Sequence, residues 1–106
     1  MAKFMLKGNY LGAGVTGLRL EGGSSRQAAI QRLVASVGGE VESVYYAFGD
    51  TDVYVIADLP DNAAAAALTL SVNATGAVTA TTIVLLTPEE MDAAANLEPQ
   101  YRAPGG

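Results

Sequence analysis

The sequence contains no cysteine, no histidine and no tryptophan, and only six of its 106 residues are lysine or arginine. Without cysteine or histidine, the chain can form no disulfide, no thiol nucleophile, no imidazole base and no Cys/His zinc site. The six cations are scattered along the chain, and the net charge is −5. Because nucleic-acid binding needs clustered positive charge, we expect no nucleic-acid partner.

Long apolar runs are also absent. No run approaches the ~20 residues that are needed to span a bilayer. The apolar stretch between Lys3 and Lys7 has only three residues, whereas the apolar core of a signal peptide has ~7–15. The sequence therefore predicts a cytoplasmic protein with no membrane partner.

Charged residues are scarce, whereas apolar residues make up half of the chain. Only 16% of residues are charged, against about 25% in ordinary soluble domains. The length predicts one domain, over residues 1–98, followed by an irregular tail over 99–106. A domain of this size buries about 60–70% of its unfolded surface, so much of the apolar content would stay exposed in a monomer. We therefore expect the protein to be its own partner, in a homodimer or a higher homo-oligomer.

The spacing of apolar residues predicts four strands and three helices. Residues 2–10 alternate with a period of two, which is typical of a strand with one buried face. A glycine-rich connection over 12–23 leads to a helix that Ser24 or Ser25 caps and that Gly38-Gly39 ends. The other elements are strands at 41–48 and 53–59 around a turn at 49–52, a helix from the Asp61 cap to about 75, a strand at 78–86, and a helix with a capping box from Thr87 to Glu90.

This order of elements is strand, helix, strand, strand, helix, strand and a terminal helix. With right-handed crossovers, it predicts an α+β fold, namely a ferredoxin-like sandwich. Its antiparallel sheet has the strand order 4-1-3-2.

The two faces of this sheet differ in polarity. A hairpin turn at Asp50-Thr51 would pair Phe48 with Val53, and the resulting face is apolar and suited to helix packing. The opposite face mixes polar and apolar side chains, which are Met5, Lys7, Tyr45, Asp52, Tyr54, Ile56, Thr79, Thr81, Ile83 and Leu85. A mixed face of this kind suits packing against another sheet while leaving a partly polar cleft.

A glycine motif over residues 12–17 fits G-x-G-x-x-G and follows a strand, as in dinucleotide-binding folds. The fingerprint should open a helix and be followed by Asp or Glu about 20 residues later. Instead, Gly22-Gly23 interrupts the chain, and the corresponding positions are Gln31 and Arg32. We therefore interpret the motif as a flexible connection and expect no cofactor.

Five residues are candidates for contacting a small organic ligand. Lys7, Tyr45, Asp52 and Tyr54 share the mixed face, and Arg26 near the start of the first helix is either solvated or an anion contact. Strand tyrosines more often pack their rings than act as general acids, and turn aspartates more often bond nearby backbone than hold metal. We expect no metal, and we expect an ion pair between Lys7 and Asp52.

Several segments resemble one protein family. The chain resembles the GYD-domain family of small bacterial and archaeal proteins in the segment Gly49-Asp50-Thr51-Asp52-Val53-Tyr54. The resemblance extends to Tyr46-Ala47-Phe48 before this segment and to Asp58-Leu59-Pro60 after it. Similar segments are Glu21-Gly22-Gly23 with Arg26, residues 85–90, and Tyr101-Arg102. The resemblance departs at the motif that names the family, where Thr51 replaces the tyrosine. It implies a dimeric α+β barrel, in which two sheets pack face to face, and no particular reaction.

Three functions remain open from the sequence. The first is an oligomeric module that binds a small organic molecule in a cleft at the mixed sheet face. The second is a cofactor-independent enzyme, similar to monooxygenases or isomerases of the dimeric α+β barrel type, that uses Tyr45, Tyr54 or Asp52 as acid or base. The third is a structural oligomer without a ligand. Whether the protein is an enzyme is not fixed by any motif, because fold alone does not determine function.

Overall fold

The computed structural model describes all residues from Met1 to Gly106. It contains four strands and four helices. In chain order they are β1 (Ala2–Tyr10), α1 (Gly12–Glu21), α2 (Gly23–Ala35), β2 (Glu40–Tyr46), β3 (Val53–Leu59), α3 (Asn62–Ala74), β4 (Val78–Leu85) and α4 (Pro88–Ala95).

The four strands form one antiparallel sheet in the order β2-β3-β1-β4. Read from the other edge, this is the order 4-1-3-2 that the sequence predicts. The ferredoxin-like α+β fold is therefore confirmed, and it carries one helix, α1, beyond the three predicted.

The core lies between the sheet and the helices that cover one of its faces. In β3, every second residue from Val53 to Leu59 is buried, because side chains alternate between the two faces of a strand. The buried apolar residues are Phe4, Leu6, Val34, Val53, Val55, Ala57, Leu59, Ala64, Ala65 and Leu68. This core is small, and three of its ten members are alanine.

The predicted hairpin register is wrong by two residues. Tyr46, not Phe48, pairs with Val53, and the phenyl ring of Phe48 is fully exposed. The tight turn does not form because neither Asp50 nor Thr51 adopts the positive φ that a primed two-residue turn requires. A longer loop connects the strands instead. Since a shift of two residues keeps each side chain on its original face, the predicted polarity of the two faces survives.

The glycine-rich connection is also different from the prediction, because residues 12–21 are helical. Gly22, with φ of +81°, separates α1 from α2, and neither Ser24 nor Ser25 caps α2. The helix α1 packs close to the start of β4. A Cβ atom on Gly14 would lie 2.0 Å from the carbonyl oxygen of Ala77. Glycine at this position therefore permits a close helix approach.

The other predicted helix ends are confirmed. The Asp61 side chain accepts a hydrogen bond from the Ala64 amide at 2.8 Å and caps α3. Thr87 and Glu90 form the predicted capping box at the start of α4. Gly38, with φ of +83°, follows α2.

The C-terminal segment, residues 86–106, leaves the body of the domain. Every residue from Pro88 to Gly106 is exposed, and α4 buries none of its side chains. The longest dimension of the molecule is accordingly 56 Å, against 22 Å for the shortest. Several large apolar side chains of this segment face solvent, namely Leu86, Met91, Leu97 and Tyr101.

Candidate functional site

One face of the sheet carries no helix, and we call it the open sheet face. Its side chains come from alternate residues of all four strands. They are Ser43 and Tyr45 of β2, Tyr54, Ile56 and Asp58 of β3, Lys3, Met5 and Lys7 of β1, and Thr81, Ile83 and Leu85 of β4. Tyr45 is 70% exposed and Ile83 is 44% exposed. The face is therefore in contact with solvent in the single chain.

The centre of the open sheet face is an apolar row. Met5 pairs with Ile56 on one side and with Ile83 on the other. The Met5 and Ile56 side chains are only partly buried by their neighbours. These three residues on adjacent strands form a continuous apolar strip, which is the feature that the alternation pattern predicts.

Next to this strip lies a polar and aromatic row. Lys7 pairs with Tyr54 and with Thr81, and Tyr54 pairs with Tyr45. Three of the five candidate residues, Lys7, Tyr45 and Tyr54, are thus brought together on one face. The ion pairs of the structure involve only Lys3 and Arg26 as cations. The Lys7 ammonium therefore has no carboxylate partner.

On the other side of the apolar strip, Lys3 is held by two carboxylates. Its Nζ atom lies 2.9 Å from Asp58 Oδ1 and 3.0 Å from Glu42 Oε1. These hydrogen bonds raise the pKa of Lys3 above its ordinary value of 10.5, and the bond to Asp58 has the larger effect of the two. The sequence analysis missed this cluster. The pairing of Lys3 with Asp58 in the register of β1 and β3 could have indicated it.

Asp52 does not take the position that the sequence predicts. Its Oδ2 atom accepts a hydrogen bond from the Tyr10 amide at 3.0 Å, and its own amide donates to Asn9 Oδ1 at 3.1 Å. The expected ion pair between Lys7 and Asp52 is not formed. The carboxylate instead fixes the end of β1 to the loop before β3, through an amide that is distant in the sequence rather than through nearby turn backbone. With Tyr10 it borders a hollow on the helix-covered side.

Arg26 also lies away from the open sheet face. It belongs to α2 and borders a groove between the helices, on the opposite side of the sheet from Lys7. Its Nη1 atom is 3.6 Å from Glu21 Oε2. Nearby, the Tyr46 hydroxyl donates to the Gly23 carbonyl at 3.0 Å. The pKa of Tyr46 is raised above its ordinary value, mainly because the hydroxyl is partly buried. The nearby Tyr10 raises this pKa further, whereas the positive charge of Arg26 lowers it.

The structure gives a packing reason for one glycine of the motif, Gly14. The helix begins at Gly12, so Gly14 and Gly17 lie inside α1 rather than in a turn before it. Gly14 is required by the close carbonyl of Ala77. No group of three or more acidic side chains lies close enough together to hold a metal ion.

The fold and the open sheet face define a ferredoxin-like α+β domain whose sheet is covered by helices on one side only. The model of the GYD domain family matches residues 4–95. Because the match spans most of the chain, the protein belongs to the GYD-domain family, as the sequence resemblance indicates. No curated protein and no solved structure matched the chain. None of the four helices has the length and apolar character to cross a membrane.

Proposed function

We propose that the protein is a homo-oligomeric binding module. In this proposal, two copies pack through their open sheet faces, and a cleft beside Lys7, Tyr45 and Tyr54 holds a small organic molecule. The observation that carries it is the apolar strip of Met5, Ile56 and Ile83 on the helix-free face, which stays partly exposed in the single chain. Removing such a strip from water is favourable by roughly 25 cal/mol per Å² of apolar surface.

The size of the sheet is consistent with part of a stable interface. Four strands of about seven residues cover roughly 19 by 23 Å, or about 450 Å². A specific interface typically buries about 800 Å² on each partner. The open sheet face alone is therefore too small. The exposed C-terminal segment, residues 86–106, supplies further apolar side chains, and we propose that it packs against the partner copy.

The polar row provides the ligand-binding part of the proposal. Lys7 lies between Tyr54 and Thr81 and is not neutralised by a carboxylate. Two sheets that meet along their apolar strips would enclose this row, and an ammonium group that is partly removed from water gains from an anionic or hydrogen-bonding ligand. The tyrosine rings would supply flat apolar contact and hydroxyl groups.

The arrangement favours binding over catalysis. An acid–base enzyme needs a titratable group that is free to accept or donate a proton at the reacting atom. On the open sheet face, the Asp58 carboxylate is occupied by Lys3. Asp52, the other acid considered, bonds to the Tyr10 amide. Of the groups that the sequence offers to the enzyme alternative, Tyr45 and Tyr54 remain on this face.

The assembly is tested by light scattering after size-exclusion chromatography at micromolar concentration. We expect a mass of at least twice the 10.8 kDa of one chain. Ile83→Glu places a charge in the apolar strip and should give the monomer mass. Leu70→Glu is the matched control, because Leu70 is 72% exposed on α3, away from the open sheet face. A monomeric wild-type protein would refute the assembly.

The ligand site is tested by a thermal-shift screen of small organic acids, because a ligand that binds the native state raises the apparent stability. A compound bound at the polar row should lose its effect in both Lys7→Gln and Tyr54→Phe. Arg32→Gln serves as the control, since Arg32 is exposed on α2. Compounds that stabilise all four proteins equally would remove Lys7 and Tyr54 from the site.

A further inference from the structure

The helix-covered side of the sheet contains a second space that the functions above do not use. The helix α2 packs mainly on β2, and α3 packs mainly on β4. A groove of about 430 Å³ lies between them and is closed at one end by α1. Small-molecule sites commonly have volumes of about 300–1,000 Å³, so this groove is large enough for a ligand.

The groove continues inward toward the sheet. A smaller space of about 80 Å³ adjoins it, and Tyr10, Arg26, Leu33, Val72 and Val78 border both. Most residues of its wall are apolar, and the exceptions are Lys7 and Gly8 of β1 and Arg26 of α2. The two spaces together form a narrow apolar channel under a wider mouth.

The wall that α1 contributes is built from very small residues. Ala13, Gly14 and Gly17 face the groove. A Cβ atom on Gly17 would meet nothing within 4 Å. The absence of a side chain at Gly17 is thus not required by any contact within the chain, and it leaves the groove open.

Arg26 is the single cation of the groove. Its side chain is 32% exposed, and its one ionic contact is to Glu21 at 3.6 Å, a carboxylate that is itself 49% exposed. A guanidinium has five N–H donors, and the Arg26 guanidinium makes no hydrogen bond to a protein acceptor, its one polar contact being the 3.6 Å ion pair with Glu21. An exposed ion pair of this length contributes little. The donors are therefore available to a ligand.

We propose that this groove binds an amphipathic monocarboxylate, with the carboxylate on Arg26 and an aliphatic or aromatic body in the apolar channel. A guanidinium binds a carboxylate through two parallel hydrogen bonds, which a lysine cannot reproduce. The exposed Glu21 side chain turns away into solvent when the ligand carboxylate takes its place. The site lies on the opposite side of the sheet from the proposed dimer face and does not depend on it.

The test uses octanoate as the probe and octan-1-ol as its neutral counterpart, with binding to the full chain measured by calorimetry. We expect octanoate to bind at least about tenfold more tightly than the alcohol. Arg26→Gln should remove this difference, and Arg26→Lys should restore only part of it. Equal binding of the acid and the alcohol to the wild type would overturn the proposal.

A pair of glycine variants locates the site independently of Arg26. Gly17→Leu fills the groove, whereas Gly12→Leu places the same side chain in open space at the start of the same helix. We expect the first to abolish octanoate binding and the second to leave it unchanged. Amide chemical shifts on octanoate addition should change in α1 and α2. Equal loss in both leucine variants, or shifts confined to Tyr45 and Thr81 on the open sheet face, would refute this site, and the latter would support the sheet-face site instead.

Discussion

The contact between α1 and the start of β4 allows a test in which two alanine substitutions in one helix have opposite effects. The perturbation is Gly14→Ala. The added Cβ would lie 2.0 Å from the Ala77 carbonyl oxygen, whereas ordinary contact begins at 3.4 Å. The helix must therefore move by about 1.4 Å. This movement would break the hydrogen bond from the Leu11 amide to the same oxygen, which is 2.8 Å long in the structure, because such bonds extend only to about 3.2 Å.

The magnitude follows from three contributions. Loss of the hydrogen bond costs about 0.5–1.5 kcal/mol, and overpacking at the contact costs about 1–3 kcal/mol. Alanine is better than glycine inside a helix by about 0.5–1 kcal/mol, which offsets part of this cost. We expect Gly14→Ala to lower the free energy of unfolding by about 0.5–4 kcal/mol. Gly17→Ala meets no neighbour and should raise it by about 0.5–1 kcal/mol.

The assay is urea unfolding, supported by thermal melting. For a domain of this size, 1 kcal/mol changes the Tm by about 4–8 °C. Hydrogen exchange of the α1 amides is measured in parallel, because Gly14→Ala can release α1 locally before the whole domain unfolds. The reasoning is refuted if Gly14→Ala changes neither global stability nor α1 protection, or if the two variants shift stability in the same direction.

The remaining predictions concern the core, one helix cap and one charge cluster. Leu68→Ala removes a fully buried side chain and should lower the free energy of unfolding in urea by about 2–5 kcal/mol. Leu70→Ala, at an exposed position of the same helix, should change it by less than about 0.5 kcal/mol. Similar losses in the two variants would mean that α3 packs on the sheet with a different face. Asp61→Ala should cost about 1 kcal/mol by removing the α3 cap, and Asp61→Asn should retain most of the stability, so equal losses would contradict the cap. The pKa of Lys3 is raised in the folded state, so its ammonium stabilises the fold below the ordinary value of 10.5, and this stabilisation is lost as the pH rises through the folded pKa. The stability difference between wild type and Lys3→Gln should thus be present at neutral pH and close in alkali; a difference independent of pH would argue against the ion pairs.

The sequence predicts those parts of the fold that depend on local chemistry. The caps at Asp61 and Thr87 use side chains within three residues of the amides they bind, so spacing alone identifies them. The alternation in β1 and β3 separates the buried face from the open one, and this pattern is unchanged by the two-residue error in register. The strand order follows from the handedness of crossovers rather than from any single residue.

The parts that the sequence does not predict depend on distant contacts. The glycines between Gly12 and Gly17 favour a loop by their low helix propensity. The structure nevertheless has a helix there, and Gly14 of this helix packs against Ala77. This helix changes the surroundings of Arg26, which the sequence leaves as either a solvated residue or an anion contact and the structure places at the border of a groove. Asp52 is similar, because its partner, the Tyr10 amide, is 42 residues away in the chain.

The distribution of apolar residues links the two proposed sites to the stability of the fold. The core contains ten buried apolar residues, whereas fourteen large hydrophobic residues are exposed. Those exposed residues include members of the open sheet face and of the C-terminal segment, such as Ile83 and Met91. A partner or ligand that binds these exposed surfaces in the native state would raise the free energy of unfolding of a domain with so small a core, by mass action. In the proposals above, a dimer would cover the open sheet face and the C-terminal segment, and a ligand in the groove would join α2 to α3 on the other side. The two proposed sites lie on opposite faces of one sheet, and occupation of either one would add to the stability of the same fold.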